Sequence, residues 1–171
     1  MYITGHGHEE GYVQAHGGSQ IRMDDILAEA NKTIHTPSEF LVLLDTCFSV
    51  CIGKKLLEFA EKTKSIHRWV CIGGTQNTYG YQLHTVGGVF TESLSRIFHA
   101  HTYTTWEELC HQITSDMWDI ADGKSDRQRC FCGIYAPPNM YETVFSKQSC
   151  IKYLPSWSSI ECGSSRLITD Y

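Results

Sequence analysis

Apolar and polar positions fall into blocks along the chain, and the period changes from block to block. EFLVLLDTC (39–47) is a nearly continuous apolar run of strand length. Such a run fits a strand buried on both faces, as in a parallel sheet covered by helices. HRWVCIGGT (67–75) is a second run of this kind, and RCFCGIYAPP (129–138) a third, stopped by Pro137 and Pro138. Residues 1–4 read as the end of another strand. Between these runs the spacing becomes helical. MDDILAEANKTIH (23–35) carries Asp24 and Asp25 near its start, where a helix favours acids. SVCIGKKLLEFAEKTK (49–64) places Ile52, Leu56, Phe59 and Ala60 on one face and lysines on a solvated other. GGVFTESLSRIFHAH (87–101) and TWEELCHQITSDMWDIAD (105–122) predict two more amphipathic helices, and the glycine-rich stretch 9–20 a loop or hairpin. Residues 139–171 predict no regular element.

Strands alternating with helices predict an α/β fold, with right-handed crossovers and a mainly parallel sheet flanked by helices. In such sheets, sites form beyond the carboxyl ends of the strands. Two strand ends here carry chemistry. One is Gly5-His6-Gly7, where the glycine pair predicts a tight turn presenting an imidazole. The other is Cys47, which ends the run 39–47 one helix later. A thiolate is the nucleophile of cysteine catalysis, and it is activated by a nearby imidazole or a helix N-terminus. Parallel neighbouring strands would bring His6 and Cys47 to the same edge, with the start of helix 49–64 beside the sulfur.

Three ordered motifs then carry a family resemblance: His-Gly at one strand end, Asp45-Thr46-Cys47-Phe48-Ser49 at the next, and Gly-Gly-x-Phe-Thr from Gly87 to Thr91. Together they resemble the caspase-like cysteine peptidases, more closely the paracaspase and metacaspase branch than true caspases, whose Gln-Ala-Cys signature is absent. The resemblance covers residues 1–137, a partial peptidase domain, with 138–171 as an irregular C-terminal tail. It implies a caspase-like α/β/α sandwich that lacks the strands preceding the histidine strand. An edge left open there invites self-association. It further implies that Cys47 is the nucleophile and His6 the base and proton donor. The N–H groups of Gly7 and Cys47 would form the oxyanion hole. Asp45 would line the pocket for an arginine or lysine before the cut, with Thr4 as a small hydroxyl residue at the same pocket. The loop TQNTYGYQLHT (75–85) has no acid, so Asp45 is expected to stand alone. Helix 49–64 fills the interval in which true caspases are cleaved, so an unprocessed single chain is expected.

Composition narrows the alternatives. A chain of 171 residues, 42% hydrophobic and 12% aromatic, is long enough for one domain with a real core. A net charge of −5, from 14 basic and 19 acidic residues spread along the chain, leaves no basic stripe for nucleic acid and no polybasic arm for a membrane. No run approaches the roughly 20 apolar residues of a membrane span, and MYITGHGHEE has no signal-peptide pattern. Eight cysteines in a domain of this size fit a reducing, cytoplasmic setting better than a disulfide framework. Cys71, Cys110, Cys130 and Cys132 read as buried structural thiols. His6-x-His8, Cys47-x3-Cys51 and Cys130-x-Cys132 offer zinc-type ligands but lack paired knuckles, so no metal and no cofactor is expected. GGVFTESL lacks the lysine of a phosphate loop. His8 and His16 are expected on a solvated loop. His67, His84, His99, His101 and His111 are expected at the surface or as hydrogen-bonded core residues. The expected partners are protein or peptide substrates. The rival reading is a catalytically inactive, caspase-homologous interaction or scaffold domain.

Overall fold

The structure is a computed structural model and describes residues 1–76, 78–80, 82–83, 87–100, 105–121, 128–137 and 150–153. Among the described residues, nine strands and four α-helices follow in the order β1 (Tyr2–Gly7), β2 (Tyr12–Gln14), β3 (Gln20–Arg22), α1 (Met23–Thr33), β4 (Glu39–Thr46), α2 (Ser49–Lys62), β5 (Arg68–Gly73), β6 (Gln82–Leu83), β7 (Gly87–Gly88), α3 (Val89–Ala100), α4 (Trp106–Ile120), β8 (Phe131–Ala136) and β9 (Cys150–Tyr153). Seven strands form one sheet in the order β3-β2-β1-β4-β5-β8-β9, and β6 and β7 form a separate pair.

The most apolar runs lie at the centre. In β5, Trp69, Val70, Cys71 and Ile72 are all buried, as a strand covered on both faces requires. In β4, Val42, Leu44 and Thr46 are buried on one face while Leu41, Leu43 and Asp45 are partly covered on the other. α2 lies on the face of Val42 and Cys71. A Cβ at its Gly53 would stand 2.4 Å from the Phe131 ring and 2.9 Å from the Cys71 sulfur, so glycine is what lets this helix settle onto β5 and β8. α1 packs beside α2, and α3 packs on α4, where the Ser93 hydroxyl donates to the Ile113 carbonyl at 3.2 Å. The side chain of Thr105 caps α4 by accepting from the Glu108 N–H at 3.1 Å. The fold is therefore α/β, as the spacing predicts.

Four expectations are corrected. The sheet is mixed rather than mainly parallel: β1, β4 and β5 run parallel, whereas β8 is antiparallel to β5, with Phe131 beside Gly73. The helix pair between them returns the chain to the edge at which β5 ends, and β8 starts from there. Gly5-His6-Gly7 is not a tight turn. β1 continues through Gly7, because β2 pairs with His6 and Gly7 where the ladder to β4 stops, and Gly5 takes φ +143° within the strand. Gly87 and Gly88 belong to the β6–β7 pair and precede the helix. The tail from 138 is not wholly irregular, since Cys150–Tyr153 pairs antiparallel with β8 and makes the far edge. The stretch 9–20 is a hairpin with a 3-10 turn at His16–Gly18.

The histidines depart from expectation in two places. His8 is half-buried and stacks on Tyr12 at 4.6 Å, while the exposed His16 sits in the 3-10 turn. His67 is fully buried, and neither ring nitrogen makes a hydrogen bond. It is wedged edge-on against Phe40 at 5.2 Å and Trp69 at 6.5 Å, an apolar setting that its sequence neighbours do not announce. Burial lowers its pKa, opposed by the carbonyls of Ile34 and Ala30 at the end of α1. His84 and His101 lie outside the described residues. No described helix is long and apolar enough to cross a membrane.

Candidate active site

The register of the two parallel strands assembles the site. Thr4 pairs with Asp45 and Gly5 with Thr46 across β1 and β4. His6 and Cys47 follow at equivalent positions, two residues beyond the Thr4–Asp45 pair, so both come to one edge of the sheet. Alternation along the strands puts Tyr2, Thr4, Asp45 and His6 on one face, opposite the face that α2 covers.

Cys47 occupies a sharp strand-to-helix turn. Its neighbour Phe48 takes the left-handed conformation (φ 50°, ψ 33°), a costly choice for a bulky residue. α2 then begins at Ser49. Gly7 lies directly against the Cys47 peptide: a Cβ at Gly7 would be 1.9 Å from the Cys47 carbonyl oxygen, so only glycine fits. The two residues expected to supply the oxyanion hole are thus packed together. His6 is exposed and Cys47 half-buried, so an extended chain has access to both.

Residues that sequence reasoning did not single out hold the turn in place. The Ser49 N–H donates to the Thr75 hydroxyl at 2.9 Å, the Ser49 hydroxyl to the Thr75 carbonyl at 2.6 Å, and the Thr75 N–H to the Ser49 oxygen at 2.8 Å. The Thr75 hydroxyl also reaches the Thr46 carbonyl at 2.9 Å. This buried lock ties the turn at Cys47 to the segment leaving β5. Thr75's position just past the end of the strand beside that of Cys47 is the only sequence signal for it. Further on, the Phe48 N–H donates to the Thr78 carbonyl at 3.0 Å, and the Gly80 N–H donates to the Cys47 sulfur at 3.3 Å.

Asp45 is half-buried in a nest of hydroxyls. Thr91 donates to its carboxylate, Tyr2 contacts the same oxygen at 3.4 Å, and the Tyr2 and Thr91 hydroxyls are 2.7 Å apart. Gly88 lies so close that a Cβ there would be 2.2 Å from the carboxylate. Among the described residues, no cation forms an ion pair with Asp45. Thr91 belongs to the Gly-Gly-x-Phe-Thr motif, so that motif meets the Asp-x-Cys motif at this carboxylate.

No protein-family model, curated protein or solved structure gives a significant match to the chain. The site is therefore read from its own geometry. Cys51, Cys71, Cys110, Cys130 and Cys132 are buried free thiols. Burial pushes the Cys71 thiol up, and thiol–thiol hydrogen bonding raises Cys110 through Cys130, and Cys132 through Cys110, with burial adding to both. Among the described residues, no group of three or more His, Cys, Asp or Glu is placed to hold a metal ion.

Proposed function

We propose that residues 1–137 form a caspase-like cysteine endopeptidase domain of the paracaspase and metacaspase type, cutting peptide bonds after arginine or lysine. The observation that carries this reading is the β1–β4 register, which delivers an imidazole and a thiol to one sheet edge with a carboxylate two residues before the thiol. The Cys47 thiolate attacks the scissile carbonyl carbon, and the C–N bond breaks as His6 gives its proton to the leaving amine. Water, deprotonated by His6, then hydrolyses the thioester, releasing the carboxylic acid and restoring the thiol. The N–H groups of Gly7 and Cys47 stabilise the oxyanion in each step. Asp45, solvated by hydroxyls and, among the described residues, without a cation partner, is the acceptor for the substrate guanidinium or ammonium, with Thr4 beside it. The free thiols fit a reducing, cytoplasmic setting.

Peptides ending in arginine at the cut site test the reading. Cys47→Ala should abolish their hydrolysis. Asp45→Asn should lower kcat/KM for them by about tenfold or more, as expected for losing a charge-assisted pair of about 1.5–3 kcal/mol, while affecting neutral peptides less. A preference for aspartate, or an unchanged rate in Asp45→Asn, counts against it.

One observation favours the scaffold reading. β2 pairs with β1 only at His6 and Gly7, so among the described residues the outer edge of Tyr2–Gly5 is open beside exposed Met1 and Tyr2. An added strand there, from a second copy or another protein, would complete the sheet. A folded chain that cleaves no peptide but self-associates, and loses that association when Tyr2–Gly5 is disrupted, would establish this second reading.

A further inference from the structure

The positive end of α2 is the obvious activator of Cys47, yet its N–H groups are already engaged. Ser49 N–H goes to the Thr75 hydroxyl at 2.9 Å and Val50 N–H to the Thr75 carbonyl at 3.2 Å. Cys51 and Ile52 N–H go to the Phe48 carbonyl at 2.9 and 3.3 Å. None of these four is directed at the sulfur. The described donor that is directed there is the Gly80 N–H, at 3.3 Å.

We propose that the Gly80 main-chain N–H is a positioning group that holds the Cys47 sulfur in its anionic form, carried on a strap bearing Thr75, Thr78, Tyr79 and Gly80 that is anchored to the nucleophile turn. The inference rests on the reading of Cys47 as nucleophile. The strap is fixed at two points before it reaches the sulfur: Thr75 is bonded to Ser49 and Thr46, and the Thr78 carbonyl accepts from Phe48. The Tyr79 ring meets Phe48 edge-on at 5.4 Å and steadies the last step. The donor is thus preorganised, and its hydrogen bond is stronger to a thiolate than to a thiol. It selects the charged form in the way that hydrogen bonds to an ionised acceptor do. His6, arriving from β1, is left free to hand its proton to the leaving group rather than serve as the sole partner of the sulfur charge.

The geometry supplies its own control. Among the described residues other than its chain neighbours, a Cβ at Gly80 would come no nearer than 3.8 Å to any atom, so Gly80→Ala is accommodated and keeps the N–H, whereas Gly80→Pro removes it. The experiment is the pH dependence of Cys47 alkylation by iodoacetamide in the folded full chain, read by peptide mass spectrometry. Gly80→Pro should slow alkylation at neutral pH about tenfold and move its midpoint upward, with Gly80→Ala behaving as the parent. A parental midpoint in folded Gly80→Pro overturns the inference. If Gly80→Pro does not fold, the Gly80 amide proton resonance of the parent chain decides: it should shift through the Cys47 titration and lose that shift in Cys47→Ser. A flat Gly80 resonance overturns the inference. Alkylation is independent of peptidase activity. A shifted midpoint in a chain that cleaves nothing leaves the inference standing and sinks the endopeptidase reading.

Discussion

Cys47 and the core thiols are the same residue in the same sheet, and their surroundings differ at every point that governs reactivity. Cys71 sits in mid-strand under α2, fully buried, and Cys110, Cys130 and Cys132 cluster between α4 and β8, sharing hydrogen bonds with one another. Burial, and for Cys110 and Cys132 thiol–thiol hydrogen bonding, disfavours the charged form of Cys71, Cys110 and Cys132. Cys47 lies one residue past the last β1–β4 pair, half-buried, with a main-chain donor on its sulfur and a helix start beside it. Position relative to the strand end, rather than residue type, sets these surroundings apart.

The sharpest way to break that contrast is differential alkylation of the native protein. Cys47 should react at least about 100-fold faster than Cys71, Cys110, Cys130 or Cys132, because the core thiols are reached only through opening of the structure. Comparable rates would erase the distinction.

A smaller effect tests the core side. Cys71→Ser places a hydroxyl against Gly53 and the Phe131 ring, and should cost about 1–3 kcal/mol in urea unfolding while leaving Cys47 alkylation unchanged. A neutral outcome would mean that water reaches this part of the core.

The smallest effect extends the comparison from buried thiols to a buried imidazole. The folded pKa of His67 lies below its ordinary value of 6.5, chiefly through burial. The unfolded chain therefore takes up the proton first as pH falls, and stability declines below about pH 6.5. His67→Phe should flatten that decline in urea midpoints measured between pH 5 and pH 7.5. An unchanged slope would assign the acid sensitivity to other groups.

Much of this arrangement is legible in the residues alone. The apolar runs at 39–47 and 67–75 and the amphipathic stretch at 49–64 became β4, β5 and α2, because burial on both faces or on one stripe leaves its period in the residues. His6, Cys47 and Asp45 could be named because their chemistry resides in side chains. The direction of β8 was hidden, since it depends on where α3 and α4 return the chain. Gly5-His6-Gly7 misled because its extended state comes from a partner, β2, rather than from its own glycines. β9 is likewise a strand by virtue of pairing with β8. The contributions of Gly80 and Thr75 were the least visible. A main-chain N–H has no letter of its own, and the bonds of Thr75 to Ser49 span 26 residues.

That long-range lock has a consequence for the order of events during folding. A nascent chain ending near residue 65 contains both His6 and Cys47, yet nothing that pins the turn between them. Closing a loop of 26 residues to join Ser49 to Thr75 requires β5 to have docked on β4 first. The turn at Cys47 therefore takes its native form late, only after the two strands have joined. Pulse alkylation during refolding should find Cys71 protected before Cys47 acquires its native rate.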